Sequence, residues 1–160
     1  MANARRAAYV VEAERTRAVG VAALDQDSRA PVVCVIDDDV SLLRALKRLL
    51  GASGFHVTAF ASAEAFLESH HVPRIECLVL DVHLGGLSGF DLHARLASAG
   101  CRIPVVFITA HDDPLTRERA RQAGAVDYLR KPFNDESLIA GINRALDRRC
   151  RARPRPLTSP

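Results

Sequence analysis

Val32-Val33-Cys34-Val35-Ile36-Asp37-Asp38-Asp39 governs how the rest of the chain is read: five apolar residues in a row stop at three carboxylates. A continuous apolar run of this length suits a strand covered on both faces, where no side chain meets water. The period then changes. Leu42, Leu43, Leu46, Leu49 and Leu50 recur at helical spacing, and Gly51 and Gly54 close the segment.

Outward from this pair the pattern repeats. A second strand is predicted over residues 55–60, followed by a helix opened by Ser62, a good N-cap residue. Cys77-Leu-Val-Leu80 is another fully apolar run, ending at Asp81, and a Gly-rich loop leads into a helix from about Phe90 to Ala99. Val105-Val-Phe-Ile108 ends at Thr109, and a charged helix is expected from about Asp113 to Gln122. Val126–Leu129 ends at Arg130-Lys131-Pro132, and Asn134 caps a last helix carrying Leu138, Ile139, Ile142 and Leu146. Strands alternating with helices in this way predict an α/β fold, a doubly wound parallel sheet of five strands. In such sheets the ligand site lies beyond the carboxyl ends of the strands, where the strand order reverses. Those ends carry Asp37, Asp38, Asp81, Thr109 and Lys131.

Composition narrows the class. The chain has 160 residues, 48% hydrophobic and 26% charged, ordinary for one globular domain with some excess. Its formal charge of +3 is uneven: +5 falls in residues 144–160 and +1 in residues 1–30, which leaves −3 for residues 31–143. An acidic middle with a basic tail argues against a dedicated nucleic-acid binder. Cys34, Cys77, Cys101 and Cys150 are scattered without a CxxC pair, so reduced structural thiols are expected. Glu12, Glu14, Arg15 and Arg17 interrupt any apolar leader, and no stretch approaches membrane-spanning length, so a cytoplasmic protein with no membrane partner is expected. Residues 1–30 read as a flexible or weakly helical extension, 31–148 as the folded domain and 149–160 as a basic, Pro-rich tail.

Each strand-end residue alone has a plain explanation. Asp37–Asp39 suit the positive end of the following helix, Asp81 and Lys131-Pro132 suit turns, and Thr109 suits a strand end. Their joint occurrence at the ends of the proper strands says more. Converging carboxylates repel one another unless a cation is bound, and oxygen-only ligands suit Mg²⁺. A carboxylate nucleophile, a divalent metal, a lysine and a hydroxyl together can stabilise a transferring phosphoryl group.

Val-Ile-Asp37-Asp38-Asp39, Leu-Val-Leu-Asp81-Val-His-Leu-Gly-Gly-Leu-Ser-Gly89, Val-Phe-Ile-Thr109-Ala, Ala-Gly-Ala-Val-Asp-Tyr128 and Lys131-Pro132-Phe133 resemble the receiver domain of two-component response regulators, over roughly residues 31–148. Thr-Ala-His-Asp-Asp and Ala-Gly-Ala-Val-Asp-Tyr-Leu-Arg-Lys-Pro-Phe are most similar to the FixJ-type subset, without a recognisable output domain here. The resemblance implies a flavodoxin-like sheet of order 2-1-3-4-5. It implies Asp81 as phosphoacceptor, with Asp38, Asp81 and the backbone carbonyl of His83 binding Mg²⁺ directly and Asp37 acting mainly through water. Lys131 would contact a phosphoryl oxygen, aided by a cis peptide before Pro132. Thr109 would shift toward the phosphoryl group, and Tyr128 would turn inward behind it. Implied partners are a sensor histidine kinase or histidine phosphotransfer protein and a downstream protein target. Self-association through the face of the fourth helix, fifth strand and fifth helix is a further implied contact. The chemistry would be limited to self-catalysed phosphotransfer and autodephosphorylation.

Leu84-Gly85 departs from the family's usual Met-Pro, which predicts a less rigid loop with the chemistry intact. His83 and His111 either tune the phosphate's lifetime or are exposed loop histidines without special role, and His70-His71 reads as a solvated helix end. A DNA-binding role for the basic tail competes with the switch reading. Arginines on such a tail reach phosphates but cannot read bases, so no sequence-specific nucleic acid is expected. A hydrolase working through an aspartyl intermediate would need a general acid where His83 stands.

Overall fold

The computed structural model describes residues 29–69 and 74–152. The expected extension up to residue 28, His70-His71 and the tail beyond residue 152 lie outside the described residues. Strands and helices alternate: β1 Val32–Ile36, α1 Val40–Ala52, β2 His56–Phe60, α2 Ala63–Glu68, β3 Cys77–Asp81, α3 Gly89–Ser98, β4 Val105–Thr109, α4 Pro114–Gln122, β5 Asp127–Arg130 and α5 Asp135–Ala152. The strands form one parallel sheet in the order β2-β1-β3-β4-β5. The chain winds from β1 out to β2, then crosses to β3 on the other side. The order therefore reverses between β1 and β3, the switch point beyond whose strand ends such sheets hold their ligands.

Apolar runs became strands because both of their faces are covered. Cys34, Ile36, Leu78, Leu80 and Phe107 face α2, α3 and α4, where Phe66, Phe90, Leu92, Leu96 and Ala120 meet them. Val33, Val35, Val79, Val106 and Ile108 face α1 and α5, against Leu43, Leu46, Leu50, Leu138, Ile142 and Ala145. All five residues of β1, β3 and β4 are buried, whereas β2 and β5 are edges and only partly covered. Each fully buried aliphatic or phenyl side chain contributes roughly 1.5–3 kcal/mol, so the central strands dominate stability.

Helix starts are fixed by side-chain caps. Asp39 accepts from the Ser41 and Leu42 amides at 2.9 and 3.0 Å. Ser62 accepts from Ala65, Ser88 from Asp91, Asp113 from Thr116 and Asn134 from Ser137. Each such cap is worth about 0.5–2 kcal/mol. α5 runs to Ala152, four residues into the segment read from sequence as a tail. The first proline beyond it is Pro154, and only the residue directly before a proline is driven out of the helical region. Within that last turn Arg149 donates to the carbonyl of Ile75, which ties α5 to the loop before β3.

Candidate functional site

Beyond the carboxyl end of the sheet the strands deliver their polar residues to one place. Asp37 follows β1, Asp81 ends β3, Thr109 ends β4 and Lys131 follows β5. Asp37 and Thr109 are fully buried and Asp81 is 4% exposed. Parallel pairing of β1 with β3 and of β3 with β4 sets this convergence, with Ile36 opposite Leu80 and Asp81 opposite Ile108.

The three neighbouring aspartates divide into different roles. Asp39 is spent on the α1 cap. Asp37 turns inward, and its Oδ1 accepts from the Asp39 amide at 2.8 Å. Asp38 stays exposed, yet it offers a carboxylate oxygen within 4.8 Å of oxygens from Asp37 and Asp81. Lys131 Nζ donates to Asp37 Oδ2 at 2.5 Å and to Asp81 Oδ2 at 2.9 Å, after a cis Lys131-Pro132 peptide.

Burial pushes the Asp37 carboxyl above its usual range, and the Lys131 hydrogen bond only partly opposes that. Lys131 is drawn down by its own burial, but its bonds to Asp37 and Asp81 outweigh this and hold the ammonium above its ordinary value. Three carboxylates against one ammonium leave a formal excess of two negative charges. That excess and an all-oxygen donor set fit a hard divalent cation.

A second set of bonds leads from Asp81 toward β5. The His83 amide donates to Asp81 Oδ1 at 3.0 Å, and His83 Nδ1 lies 3.2 Å from Thr109 Oγ1. Thr109 Oγ1 also donates to the His111 carbonyl and accepts from the His111 amide, both at 3.1 Å. Tyr128, half-buried, donates its hydroxyl to the same carbonyl at 3.4 Å. The His83 and His111 rings meet edge to face at 5.0 Å.

Every residue singled out at the strand ends therefore falls in one region, and the structure adds Glu64, which sequence reading missed. Glu64 at the start of α2 accepts from the Leu87 amide at 2.7 Å and so tethers the β3–α3 loop. Gly86 makes room for it, since a Cβ there would lie 2.5 Å from Glu64 Oε1. Gly89, named in the motif, owes its place to close packing: a Cβ there would come within 2.2 Å of the Asp81 carbonyl oxygen. No local pattern marks Glu64, because its partner is 23 residues away.

Comparison with known proteins agrees with this geometry. Residues 33–143 match the family described as the response regulator receiver domain. Nodulation protein W of Bradyrhizobium diazoefficiens is 43% identical over 121 residues, 76% of this chain and 53% of that protein. The transcriptional regulatory protein FixJ of the same organism is 39% identical over 114 residues, 71% of this chain and 56% of that one. Among solved structures, that of the response regulator StyR superposes with a TM-score of 0.68 at 41% identity, covering 76% of this chain and 64% of the other. The chain spans about half the length of the curated relatives it matches. Among the described residues no helix is long and apolar enough to cross a membrane.

Proposed function

The chain belongs to the response regulator receiver domain family, and from that premise we propose that it is a phosphoacceptor switch of a two-component or phosphorelay system, phosphorylated on Asp81. One observation carries the reading. Asp81 is buried at the end of a central strand, yet its two oxygens are held in place by Lys131 and by the His83 amide beside a cluster of two further carboxylates. A turn-forming aspartate also accepts from the amide two residues on, but it has no need of a buried lysine and two further carboxylates.

Mg²⁺ would be held by Asp38, Asp81 and the His83 carbonyl, with Asp37 acting through water. When bound it neutralises phosphoryl oxygens as charge builds on them. A carboxylate oxygen of Asp81 attacks the phosphorus of a phosphohistidine on a sensor kinase or phosphotransfer protein. An O–P bond forms, the N–P bond breaks, and the departing imidazole nitrogen keeps the electron pair and takes a proton. Lys131 then leaves Asp81 for a phosphoryl oxygen, and Thr109 releases the His111 carbonyl to donate its proton to another. The vacated space lets Tyr128 turn inward. This alters the face of α4, β5 and α5, through which a protein target or a second copy is bound. Attack of water on phosphorus regenerates the carboxylate. The chain catalyses its own phosphotransfer and reset and acts on no released substrate, so it is a signalling protein rather than an enzyme.

Incubation with acetyl phosphate and Mg²⁺, followed by mass spectrometry, tests the assignment. One phosphoryl group on Asp81, acid-labile in the denatured protein and absent from Asp81→Asn, is expected. Label that survives in Asp81→Asn would overturn it.

A further inference from the structure

The hydroxyl of Thr109 has one proton and two lone pairs, and all three are engaged. The His111 carbonyl can only accept, so it takes the Thr109 proton at 3.1 Å. The His111 amide can only donate, so it fills one lone pair at 3.1 Å. One lone pair remains for His83 Nδ1 at 3.2 Å. It cannot be met by another lone pair, so with the Thr109 proton on the His111 carbonyl the Nδ1 of His83 is the donor of this contact. The ring is steadied from the other side by the His111 ring, 5.0 Å away at an interplanar angle of 62°.

We infer that His83 is a positioning residue whose imidazole holds the Thr109 hydroxyl on its resting partners, and so sets how readily the switch leaves the unphosphorylated state. This rests on the phosphoacceptor reading above. Thr109 is fully buried, so its hydroxyl has no water to fall back on and exchanges partners only against other groups of the site. To donate to a phosphoryl oxygen on Asp81 it must withdraw its single proton from the His111 carbonyl. Each bond that keeps the oxygen in place opposes this. Two of them come from the backbone of His111 and survive any side-chain substitution there. The third comes from an exposed side chain that nothing in the core depends on. His83 is thus the adjustable member of the set. Its backbone amide separately fixes Asp81 Oδ1, so the side chain can be removed while that contact stays.

Two measurements test this. In the parent protein, long-range ¹H–¹⁵N spectra of imidazole-labelled material should show the His83 proton on Nδ1. A ring protonated on Nε2 alone would overturn the inference without touching the phosphoacceptor reading. Beryllofluoride with Mg²⁺, titrated while following the Tyr128 resonances, should bind His83→Ala about two- to tenfold more tightly than the parent, the value of one net hydrogen bond. In a Thr109→Ala background the same substitution should change nothing, because the group it restrains is gone. Equal or weaker binding in His83→Ala, or a gain that persists without the threonine hydroxyl, would overturn the inference. Absence of beryllofluoride binding in the parent would instead overturn the phosphoacceptor reading.

Discussion

Lys131 does at the residue scale what no other described side chain at the site does, since it places a cation between two buried carboxylates. Removing one partner of a buried ion pair is far costlier than its net worth, because the charges left behind have lost both water and partner. Lys131→Met should therefore destabilise the metal-free protein by roughly 3–5 kcal/mol in urea unfolding. Added Mg²⁺ should restore part of that, since it supplies positive charge to the same carboxylates. An unchanged midpoint without metal would show that Asp37 and Asp81 do not need the lysine to stay buried. Asp37, Asp81, Thr109 and Lys131 were all legible because each follows a recognisable apolar strand. That Asp39 would be used up as a cap while Asp38 stayed available depends on how the chain turns into α1.

At the scale of elements, the β3–α3 loop is held from outside itself. Gly85 stands where a proline would stiffen the chain, and rigidity is supplied from α2 instead. Glu64→Ala should speed hydrogen exchange at the Leu87 amide and weaken Mg²⁺ binding, because this loop carries the His83 carbonyl. Glu64→Gln keeps the accepting oxygen and should restore most of both. Equal exchange rates in Glu64→Ala and the parent would remove the tether. α3 carries a second prediction. Burial holds the His93 imidazole below its usual value beside Phe107. Above about pH 6.5 the ring is neutral in both states and nothing is lost. As pH falls below that, the unfolded chain takes the proton first, so stability declines until the folded ring also titrates. Urea unfolding of His93→Gln should lose that part of the slope between pH 7.5 and 5.

Across the whole molecule, α5 packs along β3, β4 and β5. Its buried Leu138 and Ile142 pack under β3 and β4, and Arg149 in its last turn reaches back to the Ile75 carbonyl before β3. The basic C-terminal stretch is thus in part a structural element of the domain. A chain ending at residue 148 should be less stable than one ending at 152 by about 1–3 kcal/mol, the range for a charge-assisted hydrogen bond with its helical turn. Thermal unfolding of the two truncations decides it, and coincident transitions would mean that Arg149 contributes nothing.

The sequence by itself determined the architecture and the chemistry at the strand ends. Uninterrupted apolar strands must be covered on both faces, and the short connections between alternating elements leave a parallel, doubly wound sheet as the fold that covers them. Val32–Ile36 and Cys77–Leu80 place their following aspartates at the same end of that sheet through strand direction alone. Tertiary structure decided everything that depends on partners far apart in the chain. Lys131 meets Asp37 across 94 residues, Glu64 meets Leu87 across 23, and His83 meets Thr109 across 26. A side chain's type and periodicity carry its burial, but a hydrogen bond needs a distance and a direction. Only the packed helices and the turns between them supply those.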